Sequence, residues 1–374
     1  MIDCRRVALL FLCCALELNA CSGGRSASDA VSENQKAVNV LIWARVLAPN
    51  TLADFEKRTG IKIHASPAVT QEDLETRILA GNSGFDLASP GADYFQRQIQ
   101  AGGYLPLDKS KLRYLKNLDP QLMARVSVED PNNAYGIIYF WGTTGIGYNE
   151  KMIKALMPDA PLDSWRLIFD PAVAAKIAKC GIGVTDSPND LMRAVLPYLG
   201  RDPNSQQPKD LADAEVALTK IRQYIRNIST TNYVEALANG DLCAALGYSG
   251  GVLQARDRAR EANTGVNIKY VIPKEGSIMW FNMLAIPSHA PNVDGAYAFM
   301  DYMMTPQVVA DISNYTHYAS ANIASLPLLL PEVRDDPIIY PSLETRQRLV
   351  VVLPDSPEQL RAITRMWQRV KSGN

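Results

Sequence analysis

Few side chains in this sequence are spaced for making or breaking bonds. Its histidines, His64, His289 and His317, are scattered, and no H-x-x-x-H or C-x-x-C spacing occurs that would hold a metal. Nothing positions a nucleophile or water between Asp86 and Asp93. Gly145-Ile146-Gly147 lacks the third glycine and the following helix of a dinucleotide loop. Neither catalysis, a metal nor a cofactor is expected. What remains is recognition chemistry, concentrated first in the stretch VNVLIWARVLAPNT from Val38 to Thr51. There Trp43 offers a ring face for stacking and Arg45 a guanidinium suited to a planar carboxylate. The alternative reading is a surface arginine beside a core tryptophan.

The flanking pattern says how this pair is carried. Val38, Val40 and Ile42 alternate with Asn39 and Leu41 as in a strand buried on one face, and Pro49 opens a helix bearing Leu52 and Phe55. The loop then sits at the carboxyl end of a strand, where open α/β sheets bind ligands. Further along, Ile61–Ile63 reads as a strand, Thr70 with Asp73 as a capping box opening a helix to Gly81, and Phe85–Leu87 as a short strand before a helix with Phe95 and Ile99. This βαβα order predicts a parallel sheet covered by helices. The apolar, Gly-punctuated run 134–149 and the run Met279 to Pro287 read as extended crossings between two lobes. A second βα series lies between them, and a final amphipathic helix spans Pro357 to Lys371. Two lobes joined by crossings make a cleft with a hinge. The expected division is 38–143 with 281–316 in one lobe, and 144–280 with 317–374 in the other.

At 374 residues and 47% hydrophobic content the chain can build two packed cores. Its 38 basic and 39 acidic side chains are dispersed, which argues against a nucleic-acid partner. Arg5 and Arg6 precede an apolar run from Val7 to Leu16, too short to span a bilayer, so residues 1–20 read as a secretory signal peptide. Ala20-Cys21 resembles a lipoprotein-processing site, with 21–37 as a polar tether and Cys21 carrying the lipid. Ordinary cleavage leaving a free thiol is the alternative. The mature chain is expected in the periplasm, touching the membrane only through that anchor. Of six cysteines only Cys180 and Cys243 lie in the body, as one disulfide or as two separate buried thiols.

Many short stretches, in one order, carry a resemblance: APNTLADFEKRTGIKI, GFDL, PLDKSKL, NLDP, WGTTGIGYN, DSW, LANGDLCAALGYSG, GVNIKYVIPKEG and VKSG. The chain resembles the spermidine/putrescine-binding proteins of bacterial ABC importers from about Val38 to Gly373. The resemblance implies a two-lobed periplasmic-binding-protein fold of type II, α/β, with a mixed sheet flanked by helices in each lobe. It also implies a monomer that binds a small amine between the lobes and docks on an inner-membrane permease.

Transferred residue by residue, the resemblance departs in one direction. The family's Trp-Ser-Asp-Tyr loop is Trp43-Ala44-Arg45-Val46 here, its Trp-Ala-Gly-Asp is Tyr248-Ser249-Gly250-Gly251, and its Phe-Asp is Phe281-Asn282. A serine that begins another family loop has Gly91 and Asp93 near it. Asp190, in a loop starting at Asp186, keeps an acid, and Tyr318 matches a retained aromatic. Three carboxylates suited to a diammonium thus become Arg, Gly and Asn. An unpaired buried cation is costly, so the expected ligand shifts toward an ω-amino acid or another carboxylate-bearing amine. The aromatic walls Trp43, Tyr248, Phe281 and Tyr318 still suit an aliphatic chain or one ammonium. In the opposing reading Asp93 and Asp190 rebuild a diamine site and Arg45 faces solvent. A ligand-sensing protein uncoupled from transport is the alternative from another class.

Overall fold

The computed structural model describes residues 37–373. The expected signal peptide, the lipid-bearing Cys21 and the tether up to residue 36 lie outside the described residues. Ala37, expected at the end of that tether, instead starts the first strand.

The strands are β1 (Ala37–Trp43), β2 (Lys62–Ala68), β3 (Leu87–Ala88), β4 (Gly136–Asn149), β5 (Ile182–Val184), β6 (Ile225–Ile228), β7 (Ala244–Tyr248), β8 (Ile268–Val271), β9 (Ser277–Ala285) and β10 (Leu349–Val351). They run β2-β1-β3-β9-β4-β7-β5-β6 in space, with β10 beside β9 and β8 beside β4. β1 pairs parallel with β2 and β3, joined by helices as the βαβα pattern predicts. β9, late in sequence, inserts antiparallel between β3 and β4. The first half of β4 pairs with β9 and its second half with β7 and β8, so this single strand runs from one half of the molecule to the other. All fourteen of its residues are buried, which fits the unbroken apolar and glycine run read from sequence.

Two principal cores result. One gathers Val40, Phe55, Leu74, Phe95, Phe140, Phe281 and Phe299, and the other gathers Ile146, Trp165, Phe169, Met192, Leu246 and Trp367. A smaller cluster around Tyr233, Leu237 and Val252 sits against β7 and β8. The tail after residue 316 is split between the two. Ala319, Leu329, Val333, Ile339 and Leu349 pack in the first core, and only Ile363, Met366, Trp367 and Val370 join the second. Expecting all of 317–374 in lobe two overlooked two ties. The backbone of Ala319 bridges Trp141, and β10 lies along β9.

Local signals account for most helix ends. Gly60 and Gly240 close their helices in the left-handed conformation, at φ 72° and φ 80°. Thr70 caps the helix Gln71–Leu79 by accepting from the Asp73 N–H at 3.1 Å. The capping box is not reciprocal, because the Asp73 carboxylate takes the N–H of Val69 instead. β6 and β10 have no sequence counterpart in the reading above; both are short edge or near-edge strands with weak alternation.

Cys180 and Cys243 are bonded to each other, with their Cα atoms 5.4 Å apart. The bridge ties the turn before β5 to the start of β7 across 63 residues of chain. Closing a loop of that length stabilises by about 4 kcal/mol in the chain-entropy model. The double variant Cys180→Ala/Cys243→Ala is therefore expected to unfold at lower denaturant, with a loss of up to about 4 kcal/mol. An unchanged midpoint in urea would show that the bridge contributes nothing in solution.

Candidate ligand cleft

Each half of the molecule turns the amino end of one helix toward the other. Asp93 stands in the first turn of helix Ala92–Gln100, reached directly from β3, and Asp190 in the first turn of helix Pro188–Tyr198, reached from β5. Ser187 caps the second helix, accepting from the Asp190 N–H at 3.4 Å. Both carboxylates are half-buried, and each lies within electrostatic reach of Arg193. Burial first, and then the Asp190 charge, push Asp93 up to about 7, while Arg193 and Arg97 pull the other way. Burial also raises Asp190, opposed by hydrogen bonds from the Tyr248 hydroxyl, at 2.6 Å, and from Ser187.

Gly91, just before Asp93, bridges Asn282 on β9. Its extended backbone needs no glycine (φ is −73°), but a side chain would have no room. A Cβ there would lie 2.7 Å from Asp93 Oδ1 and would overlap the Gln71 amide that receives the Gly91 N–H. Asn189 bridges the two halves by donating to the Tyr94 hydroxyl at 3.2 Å, and Tyr94 in turn donates to Glu72. Beside Tyr94 a groove of about 560 Å³ opens between helices Gln71–Leu79, Ala92–Gln100 and Pro357–Ser372, lined by Glu72, Glu75, Arg97, Leu360 and Arg361.

From Asp190 a wall of rings leads along the cleft. Tyr248 meets Trp280 edge to face at 5.6 Å, and Trp280 meets Tyr318 at 5.5 Å with Phe140 behind them. Close approach demands glycine at two places. A Cβ on Gly142 would lie 2.6 Å from the Trp280 ring, and one on Gly250 would press into Tyr318. Trp43 is half-buried, and its indole N–H, like that of Trp280, has no hydrogen-bond partner; nor has Asn282 Oδ1. Trp280 and Asn282 thus leave one donor and one acceptor available at the cleft.

The structure thus brings together Gly91, Asp93, Asp190, Tyr248, Asn282 and Tyr318, while Trp43 ends β1 beside Ala68 and packs against the first core. Phe281 departs from expectation. It is 2% exposed and belongs to the first core, because alternation along β9 sends Trp280 and Asn282 to one face and Met279 and Phe281 to the other. The side chain missed in its place is Trp280, and period two could have found it, since residues 280 and 282 must share a face. Gly251 lines no wall either. A Cβ there would overlap the hydroxyl of Tyr233, a buried ring that receives the Tyr248 N–H at 3.2 Å. Tyr233 fills the space in which the resemblance places a carboxylate. Asp186 is committed elsewhere, accepting from Trp367 Nε1 at 2.7 Å and pairing with Lys371. That leaves Asp190 as the acid of this loop that meets the cleft.

Arg45 takes the left-handed conformation, φ 64°, in the turn after β1, which Asp or Asn adopts more readily than Arg. Its guanidinium reaches across to Glu235 at 3.4 Å, with 43% of the side chain exposed, and Glu235 is shared with Arg258. His317, also left-handed, ends helix Pro306–Thr316 and lies 3.1 Å from Asp257 Oδ2 rather than on the ring wall. Among the described residues no cluster of His, Cys, Asp or Glu could hold a metal ion, and no helix is long and apolar enough to cross a membrane.

Comparison with known proteins agrees with this architecture. Residues 50–341 match the model of the family described as bacterial extracellular solute-binding protein. The chain is 44% identical to the putrescine-binding periplasmic protein PotF of Escherichia coli K12, over 92% of this chain and 93% of that one. It is 43% identical to the putrescine-binding periplasmic protein SpuD of Pseudomonas aeruginosa, over 94% and 96%. A solved structure of the spermidine/putrescine ABC transporter substrate-binding protein PotD from Streptococcus pneumoniae superposes with a TM-score of 0.74 at 26% identity, covering 90% of this chain and 99% of that one. These relatives are substrate-binding proteins rather than enzymes, and the fold is the type II periplasmic-binding-protein fold. The chain belongs to the bacterial extracellular solute-binding protein family, in its putrescine- and spermidine-binding branch.

Proposed function

We propose that this chain is the substrate-binding component of a polyamine-type ABC importer. It takes a small cationic amine between its lobes in the periplasm and hands it to an inner-membrane permease. The reading includes export by the signal segment, with attachment through a lipid on Cys21. The observation that carries it is the pair Asp93 and Asp190, one carboxylate from each half, at the end of a wall built by Tyr248, Trp280 and Tyr318. Carboxylates neutralise an ammonium, and ring faces accept both its alkyl chain and its charge. Names of relatives at 44% and 43% identity point the same way. Ligand bridging the carboxylates favours the closed arrangement by its differential affinity for it, with β4 and the link from β8 to β9 as the flexing crossings.

A carboxylate-bearing amine is the less supported cargo. The guanidinium expected to receive its carboxylate is exposed and already engaged by Glu235. The neutral positions Gly251 and Asn282 remain the feature that favours it, since they leave the far side of the cleft without an acid.

Titration calorimetry against putrescine, spermidine, 4-aminobutyrate and 5-aminovalerate separates these cargoes. Putrescine or spermidine is expected to bind most tightly; heat from the amino acids alone would sink the diamine reading. Arg45→Ala is expected to change diamine affinity by no more than about fivefold, as for an exposed ion pair. Restoring an acid by Gly251→Asp is expected to destabilise by about 1–3 kcal/mol through overlap with Tyr233, and Tyr233→Phe in the same chain to recover part of that loss. Thermal unfolding of the single and double variants reads both effects.

A further inference from the structure

The two carboxylates of the cleft carry an electrostatic burden that no neighbouring cation removes. On its own helix Asp93 is near Arg97, which is held bidentate by Glu75 at 2.6 and 2.7 Å and lies 3.8 Å over the Tyr94 ring. From helix Pro188–Tyr198 it faces Asp190 and Arg193. Arg193 is 1% exposed and bonds Asp355 Oδ2 at 2.7 Å, while its Nε and Nη1 have no partner. The tail contributes the Asp355 charge itself. Beyond helix Pro120–Val126 lies Glu129, wholly buried with both oxygens unpartnered, which burial first and then Asp93 push up to about 8. Glu72 adds a negative charge toward Asp190, and Tyr248 donates to Asp190 without neutralising it.

Acids therefore outnumber cations here, and both arginines are already paired. Two half-buried carboxylates within electrostatic reach of one another resist being ionised together without a counter-charge. We propose that the empty cleft keeps a proton on the Asp93–Asp190 pair and that an incoming ammonium takes its place, so that amine capture is a cation-for-proton exchange. The carboxyl releases its proton to solvent, the ammonium keeps its own, and no covalent bond changes besides that O–H. This inference rests on the amine reading above.

The sign follows from the groups. Asp93, pushed up to about 7, is mostly protonated below that pH, and an ammonium stabilises only its ionised form. Binding therefore strengthens as pH rises toward 7 and levels off above it. Aliphatic ammonium groups titrate near 10, so the ligand's own charge stays constant over this range.

The test is calorimetry of the whole mature chain with putrescine, at pH 6 in two buffers of different ionisation heat and then from pH 5.5 to 8.5. Release of nearly one proton per putrescine at pH 6 is expected, with affinity falling about tenfold for each pH unit below 7. Asp93→Asn is expected to bind more weakly at pH 8 and to lose the proton release, and Asp190→Asn to bind more weakly at pH 8 and to release fewer protons at pH 6. Putrescine binding with equal heats in both buffers and affinity flat with pH overturns the exchange while leaving the amine reading intact. If no amine binds wild type at any pH, the amine reading fails and the exchange with it.

Discussion

The antiparallel pairing of β4 with β9 is the constraint on which the cleft depends. β4 runs from one half of the molecule to the other while β9 packs in the first core, so any relative movement of the halves must flex β4 beyond its pairing with β9. Their pairing fixes the faces. It places Trp280 and Asn282 toward the cleft, brings Gly142 under the Trp280 ring, and hides Phe281 among Phe140 and Phe299 in the first core. A slip of one residue in β9 would exchange every one of these roles. The bridge from Asn282 to Gly91 carries that register on to the helix that bears Asp93.

On this frame the electrostatics are lopsided. Negative charge gathers where helices Ala92–Gln100 and Pro188–Tyr198 approach one another, each presenting its amino end, which partly offsets the repulsion between carboxylates. Toward the loop after β1 the picture changes. Arg45 and Glu235 form an exposed link across the mouth, and Tyr233 occupies the space beside Gly251. The cleft has an acidic side and a side lined by rings and neutral hydrogen-bonding groups. On that side the Trp280 indole N–H and the Asn282 Oδ1 have no hydrogen-bond partner.

Much of this frame was legible before any coordinates. The apolar pattern around Val38, Val40 and Ile42 pointed to β1, and the unbroken apolar run to β4. Asp93, Asp190, Tyr248 and Tyr318 were singled out through the resemblance rather than through any local period, and each stands near a strand or helix end. Phe281 misled because resemblance names a dipeptide, whereas a strand presents alternate residues. Arg45 misled because sequence reports a charge without its partner, and Glu235 is 190 residues away. The association of residues 319–349 with the first core was equally hidden, since it rests on pairing with strands far earlier in the chain. Such long-range partnerships leave no local period to read.

The Tyr233 ring beside Gly251 has a historical implication. Two positions 18 residues apart in the sequence share one volume, so neither can change freely while the other stays as it is. A lineage that once filled this space with the tyrosine would meet a steric barrier on the way back, because an acid at 251 is tolerated only after 233 shrinks. Position 251 is then held by packing as well as by charge, and change at the exposed contact residues alone would not make room for an acid there.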